Sequence, residues 1–128
     1  MRAYDVAATA LTLQATAKWV DNTLSQHQVA GVTRERQGVS RRLTPRAILT
    51  LEIALRLIKA AHIPLASALA LAERATYSGL QVSSVDLAES ICLKIDIAAI
   101  EHEIEARLSR AVELAPSPRR GRPRGSRK

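Results

Sequence analysis

Pro45, Pro64 and Gly79 cut the middle of this chain into two segments whose apolar residues recur every three or four positions. In the first, residues 45–61, Ile48, Leu51, Leu55 and Ile58 form a stripe that Ala54 and Leu57 widen. That spacing is the period of an amphipathic helix. Thr44-Pro45 opens it well, because a hydroxyl can accept from first-turn N–H groups and proline at the first helical position gives up no hydrogen bond. His62-Ile63-Pro64 interrupts it, since the residue before a proline avoids the α region. The second segment, residues 64–78, carries Leu65, Ala68, Leu69 and Ala72, with Gly79 suited to cap its end. The many alanines imply close helix–helix approach. With no Phe, one Trp and two Tyr in 128 residues, the core has to be aliphatic, which suits helices. The same scarcity argues against a single-stranded nucleic-acid binder, which needs aromatic stacking platforms. A chain of this length is ordinarily one domain, long enough to bury a core.

After Gly79 the period changes. Leu80, Val82, Val85 and Leu87 are separated by short polar interruptions, and Ile91, Leu93 and Ile95 alternate with Cys92 and Lys94. With Ala88-Glu89-Ser90 as the turn, residues 80–96 read as a β-hairpin. A lone hairpin is marginal in water, so it must rest on the helical body or on the same hairpin of a second subunit. In residues 97–114 the helical period returns, with Ile97, Ile100, Ile104, Leu108 and Ala111/Val112 on one side and a supporting Glu103–Arg107 pair. An aliphatic seam with charged flanks suits a dimer interface as well as packing on its own domain. We expect a homodimer joined through residues 80–114. The single cysteine, Cys92, excludes an internal disulfide and a cysteine-rich metal site, and it is expected to pack as a small hydrophobe.

Ahead of these segments lies the stretch with the most chemistry. Residues 5–12 place Val6, Ala7, Ala10 and Leu11 on one helical face, with Asp5 as cap and Tyr4 as a staple. Leu13-Gln14-Ala15 makes a tight link to a second helix, from Thr16 to about Leu24, with Ala17, Val20 and Leu24 inward. Trp19 reads as a half-buried anchor, and Lys18, Asp21, Asn22 and Thr23 lie on the outer side. Two short helices joined by about three residues form a helix-turn-helix unit. Asn can read adenine, and Lys can read guanine or hold a phosphate; a merely solvated helix face has the same composition. From Gln28 to Leu43 the pattern turns extended. Val29, Val32, Val39 and Leu43 can pack inward while Arg34, Arg36, Arg41 and Arg42 project, and Gly38 marks the turn. That is a small wing whose arginines offer forked donors matching phosphate oxygens.

Charge supports a polyanionic partner. Residues 1–62 carry nine Lys/Arg against four Asp/Glu, a balance of +5. Residues 63–118 carry four against eight, −4, and residues 119–128 carry six against none, +6. A basic end is the electrostatic footprint of a nucleic-acid binder, although Arg-rich ends can also simply solvate a chain. Pro116-Ser117-Pro118 ends regular structure, and the low-complexity run RRGRPRGSRK is expected to be disordered when free. Within it, Arg120-Gly121-Arg122-Pro123, flanked by Arg119 and Arg124, resembles the AT-hook. In such a core glycine permits close approach to the minor-groove floor, proline keeps the chain extended, and arginines enter the negative potential of a narrow groove.

Tyr4-x-Val6-x-Ala8, the Lys18-Trp19-Val20-Asp21 helix and the run GVSRRLTPRAIL at 38–49 together resemble the winged helix-turn-helix of the MerR-like and excisionase-like superfamily. The resemblance covers about residues 4–77. It implies a short helix pair, an Arg-bearing wing and a longer helix, with duplex DNA contacted through Thr16, Lys18, Asn22, Arg34, Arg36, Arg41 and Arg42. The chain departs from typical MerR regulators in lacking a Gly-Leu pair after the recognition helix and a long dimerisation helix with effector-binding cysteines. Metal sensing is therefore not implied.

The expected molecule is mainly α. Residues 1–79 form a winged helix-turn-helix with two scaffold helices, 80–115 a hairpin–helix dimerisation region, and 116–128 a disordered AT-hook-like tail. The expected function is sequence-specific binding of double-stranded DNA by a dimeric transcriptional regulator. Arg120, Gly121, Arg122, Pro123 and Arg124 add a minor-groove grip. Two alternatives stay open: an antitoxin-type protein that binds a protein partner through residues 80–114 and represses its own operon, and an excisionase-like DNA bender. No enzymatic role, cofactor or metal is expected, because His27, His62 and His102 are dispersed and nothing marks a nucleophile or a phosphate cradle. No stretch resembles a signal peptide or a membrane span, so the expected location is the cytoplasm, at the nucleoid.

Overall fold

The computed structural model describes residues 3–33 and 41–114. Arg34, Arg36, Gly38 and Val39 of the expected wing, and Arg120, Gly121, Arg122, Pro123 and Arg124 of the tail, lie outside the described residues. The chain is mainly helical. Its elements run α1 (Val6–Leu13), α2 (Ala17–Gln26), β1 (Val32–Thr33), β2 (Arg42–Leu43), α3 (Pro45–Ala61), α4 (Leu65–Tyr77), β3 (Val82–Ala88), β4 (Ile91–Asp96) and α5 (Ile97–Leu114). The strands form two antiparallel pairs, β1–β2 and β3–β4.

The helix starts follow from local chemistry. Asp5 accepts from the Ala8 N–H at 2.9 Å, Thr16 from the Trp19 N–H at 3.0 Å and Thr44 from the Ala47 N–H at 3.3 Å. Each side chain satisfies an N–H that the first helical turn leaves unpaired. Gln14 and His62 end α1 and α3 in the left-handed conformation, at φ 59° and 56°, where the sequence offers no glycine.

Helix α1 buries a different face from the expected one. Its buried residues are Ala8, Thr9, Ala10, Thr12 and Leu13, whereas Leu11 is 46% exposed. The cause lies in the two threonines. Thr9 Oγ1 donates to the Asp5 carbonyl and Thr12 Oγ1 to the Ala8 carbonyl, both at 2.8 Å. With their hydroxyls satisfied within the helix, both side chains can face the core at little cost. Helix α1 is also gripped from several sides, by α2, α3 and α5.

Helices α3 and α4 pack closely along their alanine-bearing faces, with Ala47, Ala54, Ala68, Ala72 and Ala75 buried. Helix α5 buries Ile97, Ile100, Ile104, Leu108 and Ala111, the stripe expected from its period. That stripe is covered by α1 and α3 of the same chain, so it is not a bare seam awaiting a second subunit. One hydrophobic cluster extends from Ala10 to Leu108 and crosses the expected division at residue 79 without interruption.

A charged group fixes α5 against α3. Glu52 is 5% exposed, yet its Oε2 lies 2.7 Å from Arg56 Nε and 3.7 Å from Arg107 Nη1. Glu103 closes the set, 2.7 Å from Arg56 Nη2 and 3.1 Å from Arg107 Nη2. The hydrogen bond from Arg56, reinforced by its charge, holds the Glu103 carboxyl below its ordinary 4.5. A carboxylate lowered in this way stabilises the fold fully above its unfolded value and loses that contribution as pH falls through the folded value. Glu103→Gln should therefore lower the melting temperature at pH 7. The gap to the parent protein should close as the pH is taken below 4.5. A gap that persists undiminished at pH 3 in thermal unfolding would mean that charge is not the cause.

Candidate nucleic-acid interface

Strands β1 and β2 form where the sequence turns extended. Val32 pairs with Leu43 and Thr33 with Arg42, antiparallel. Tyr4 adds a third rung on the far side of β2: its N–H donates to the Leu43 carbonyl and its carbonyl accepts from the Leu43 N–H, both at 2.8 Å. Leu43 is fully buried, and Val29, buried, and Val32, half-buried, belong to the same apolar cluster.

Two further bonds fix the hairpin base to the helical body. The Gly31 carbonyl accepts from the Thr44 N–H at 3.0 Å, and the Ala30 N–H donates to Glu73 Oε2 at 3.0 Å. Gly31 has φ +92°, and a Cβ there would run into the Thr44 hydroxyl that caps α3. Only glycine meets both demands.

Helix α2 lies beside this base. Val20 is 0% and Thr23 2% exposed, with Trp19 and Leu24 half-buried. Lys18, Asp21, Asn22, Ser25 and Gln26 form the exposed side. Two expectations change. Thr23 faces inward rather than out, because it stands three residues from Val20, on the same helical face. Ala17 is exposed rather than buried, since the first turn leaves the body. Trp19 holds the half-buried position expected of it. Thr16 is exposed at the head of the helix with its hydroxyl engaged as the cap.

The neighbouring Arg41 and Arg42 face different ways. Arg41 does not project. Its Nη1 lies 3.3 Å from Asp21 Oδ1, its Nη2 donates to Ser25 Oγ at 3.2 Å, and its side chain is only 17% exposed. The cause is strand alternation. With Leu43 committed to the core, Arg41 two residues earlier takes the same side, toward α2, and Arg42 takes the other. Arg42 is exposed and, like Lys18, makes no ion pair among the described residues. Asp21 and Ser25, at i and i+4 on α2, form the receptor for the guanidinium. Their spacing was present in the sequence but carries no signal until Arg41 is placed opposite.

Arg46, which sequence reasoning left unassigned, lies exposed in the first turn of α3, four residues after Arg42. Its guanidinium stands 4.8 Å from the centre of the Tyr77 ring, a cation–π contact. It lines an open groove with Ala30, Glu73, Arg74 and Ser78. The basic groups Lys18, Arg42 and Arg46 thus come from three elements: β2 packs on α3, and α2 is tied to the residue before β2 through Asp21 and Ser25. Among the described residues no group of three or more His, Cys, Asp or Glu could hold a metal ion, and no helix is long and apolar enough to cross a membrane.

Gly31→Ala should destabilise the fold by about 1–3 kcal/mol, the usual cost of a forced left-handed residue, with the clash at Thr44 adding to it. Gly79→Ala, where a Cβ meets nothing within 4 Å, should cost less in the same chemical denaturation series. Equal losses would remove the special role of the Gly31–Thr44 contact.

Comparison with protein-family models, with curated proteins and with solved structures gives no match for this chain, so the geometry above stands without a relative to interpret it.

Proposed function

We propose that the chain is a sequence-specific double-stranded DNA-binding protein that regulates transcription, built as a winged helix-turn-helix at its N-terminal end. The observation that carries this reading is the Arg41 tie to Asp21 and Ser25. It joins hairpin to helix, while Lys18, Asn22 and Arg42 are exposed. A helix with exposed amide and ammonium groups suits a major groove, and a basic hairpin beside it suits the flanking phosphates. Arg46 extends the basic edge, and Arg34 and Arg36 belong to the same wing by sequence. The basic tail, with its Arg120–Pro123 core, adds a minor-groove contact in this reading. The direct test is selection from a random duplex library by the full chain, with enrichment of one motif as the expected result. No enriched motif would overturn sequence specificity.

The two neighbouring arginines should behave differently. Arg42→Ala should weaken binding to all duplexes and reduce the slope of log affinity against log salt by about 0.9, the loss of one phosphate contact. Arg41→Ala should weaken binding while leaving the salt slope unchanged, because it positions α2 and does not itself hold a phosphate. Fluorescence anisotropy across a salt series measures both. The opposite pattern would exchange the roles assigned to the pair.

The tail makes its own prediction. Arg122→Ala should reduce affinity mainly for sites flanked by AT tracts, whose narrow minor groove concentrates negative potential. Equal losses on AT-flanked and GC-flanked duplexes would reduce the tail to a general polyelectrolyte contact.

A further inference from the structure

The hairpin β3–β4 is only half covered. At its root Ser83, Val85 and Ile95 are buried, and Leu93 is half-buried. Toward its tip, on the same side as Leu93 and Ile95, Ile91 is 55% exposed, and Leu87 is 43% exposed beside it. Alternation puts Ile91, Leu93 and Ile95 on one face of β4 and Cys92, Lys94 and Asp96 on the other.

The two edges of this sheet differ. Between Asp86 and Ala88 the register of β3 shifts, and such a bulge bends an edge away from further pairing. Strand β3 also packs against α4 and α5. Strand β4 is regular over six residues, lacks proline and, among the described residues, has no strand neighbour on its other side. An edge of this kind is a template for another strand.

We propose that β4 pairs antiparallel with β4 of a second copy of this chain, about a two-fold axis at Leu93, to make a four-stranded sheet. In that register Leu93 faces the partner's Leu93, and Ile91 faces the partner's Ile95 at both ends of the ladder. Cys92 faces the partner's Lys94 on the outer side, so no like charges stand directly opposite. Other registers do worse. A shift by one residue sets apolar side chains against polar ones. Centring on Lys94 puts two ammonium groups face to face, and centring on Cys92 leaves Ile95 without an apolar partner. Centring on Ile95 brings Leu93 against a residue that already begins α5. Antiparallel pairing also sets the bare tip of one hairpin beside the covered root of the other, which supplies the apolar neighbour that Ile91 lacks. The contact is isologous, as a closed two-fold pair requires.

The test uses the full chain without DNA, so its outcome is independent of the function proposed above. Light scattering should give twice the 13.9 kDa of one chain. Ile91→Asp, at an exposed position that the fold does not depend on, should weaken the dimer at least tenfold. Lys94→Cys should form an interchain disulfide with the partner's Cys92 under mild oxidation, because directly opposed strand residues lie within disulfide reach. Cys92→Ser/Lys94→Cys should not cross-link, since its two cysteines would be diagonal. A monomeric parent chain overturns the proposal. So does a dimer indifferent to Ile91→Asp, a Lys94→Cys variant that fails to cross-link between chains, or a parent chain that cross-links through Cys92 alone.

Discussion

Leu43 joins the β1–β2 pair to the helical body, and its burial decides what its neighbours can do. Its backbone is bonded on one side to Tyr4 and paired on the other with Val32, and its side chain is fully buried. Thr44, immediately after it, opens α3 and is held by Gly31. Because strand side chains alternate, a committed Leu43 turns Arg41 toward α2 and Arg42 toward solvent. Magnitudes agree with this order of cause. Burying a leucine is worth about 1.5–3 kcal/mol, whereas a pair such as Arg41–Asp21, open to solvent on its Asp21 side, contributes about 1 kcal/mol at most. The apolar anchor places the hairpin, and the ion pair sets how it leans on α2.

The same division of labour recurs at α5. Its aliphatic stripe supplies the energy of docking, several buried side chains at about 1.5–3 kcal/mol each as an upper bound. The Glu52–Arg56–Glu103–Arg107 group is less a source of energy than of register. Burial alone would depress the Arg56 guanidinium, but its hydrogen bonds to Glu103 and Glu52 outweigh that and raise it above its ordinary value. A carboxylate as buried as Glu52 demands partners at defined positions, and only one rotation of α5 brings Arg107 and Glu103 into place.

Element type and order were legible in the sequence because strong local signals agreed with the tertiary structure. Thr44-Pro45, the period of residues 45–61, the alternation at 91–95 and the stripe from Ile97 to Ala111 all describe elements that fold as they read. The failures concern which side chains are buried: Cys92, expected to pack as a small hydrophobe, lies exposed on the outer face of β4, and three threonines err the other way. Thr9, Thr12 and Thr23 look polar to any hydropathy pattern, but each is buried, and the first two satisfy their hydroxyls within α1. At the candidate interface, exposure of Lys18, Asn22 and Arg42 was readable from helical and strand periods. The Arg41 latch was not, because it depends on two segments meeting some 20 residues apart. Nor could the stripe of α5 reveal whether its own chain or another would cover it. That answer required the short, threonine-bearing α1, whose circumference is buried almost all round.

Helix α1 has a further consequence. It is held on one side by α2, which carries the candidate reading residues, and on another by α5, which continues directly from β4. There is no linker in this route: Asp96 and Ile97 are consecutive, and Gln14 to Thr16 make a three-residue turn. If two copies pair through β4, the separation and tilt of their two α2 helices are then set by packed helices and a sheet, elements that deform little. A DNA-binding pair built on a flexible tether tolerates variable half-site spacing, whereas one built through α1 and α5 selects a single spacing. The charge balance, −4 over residues 63–118 and +5 over residues 1–62, would favour a pair that joins through the acidic part and meets a polyanion with the basic one.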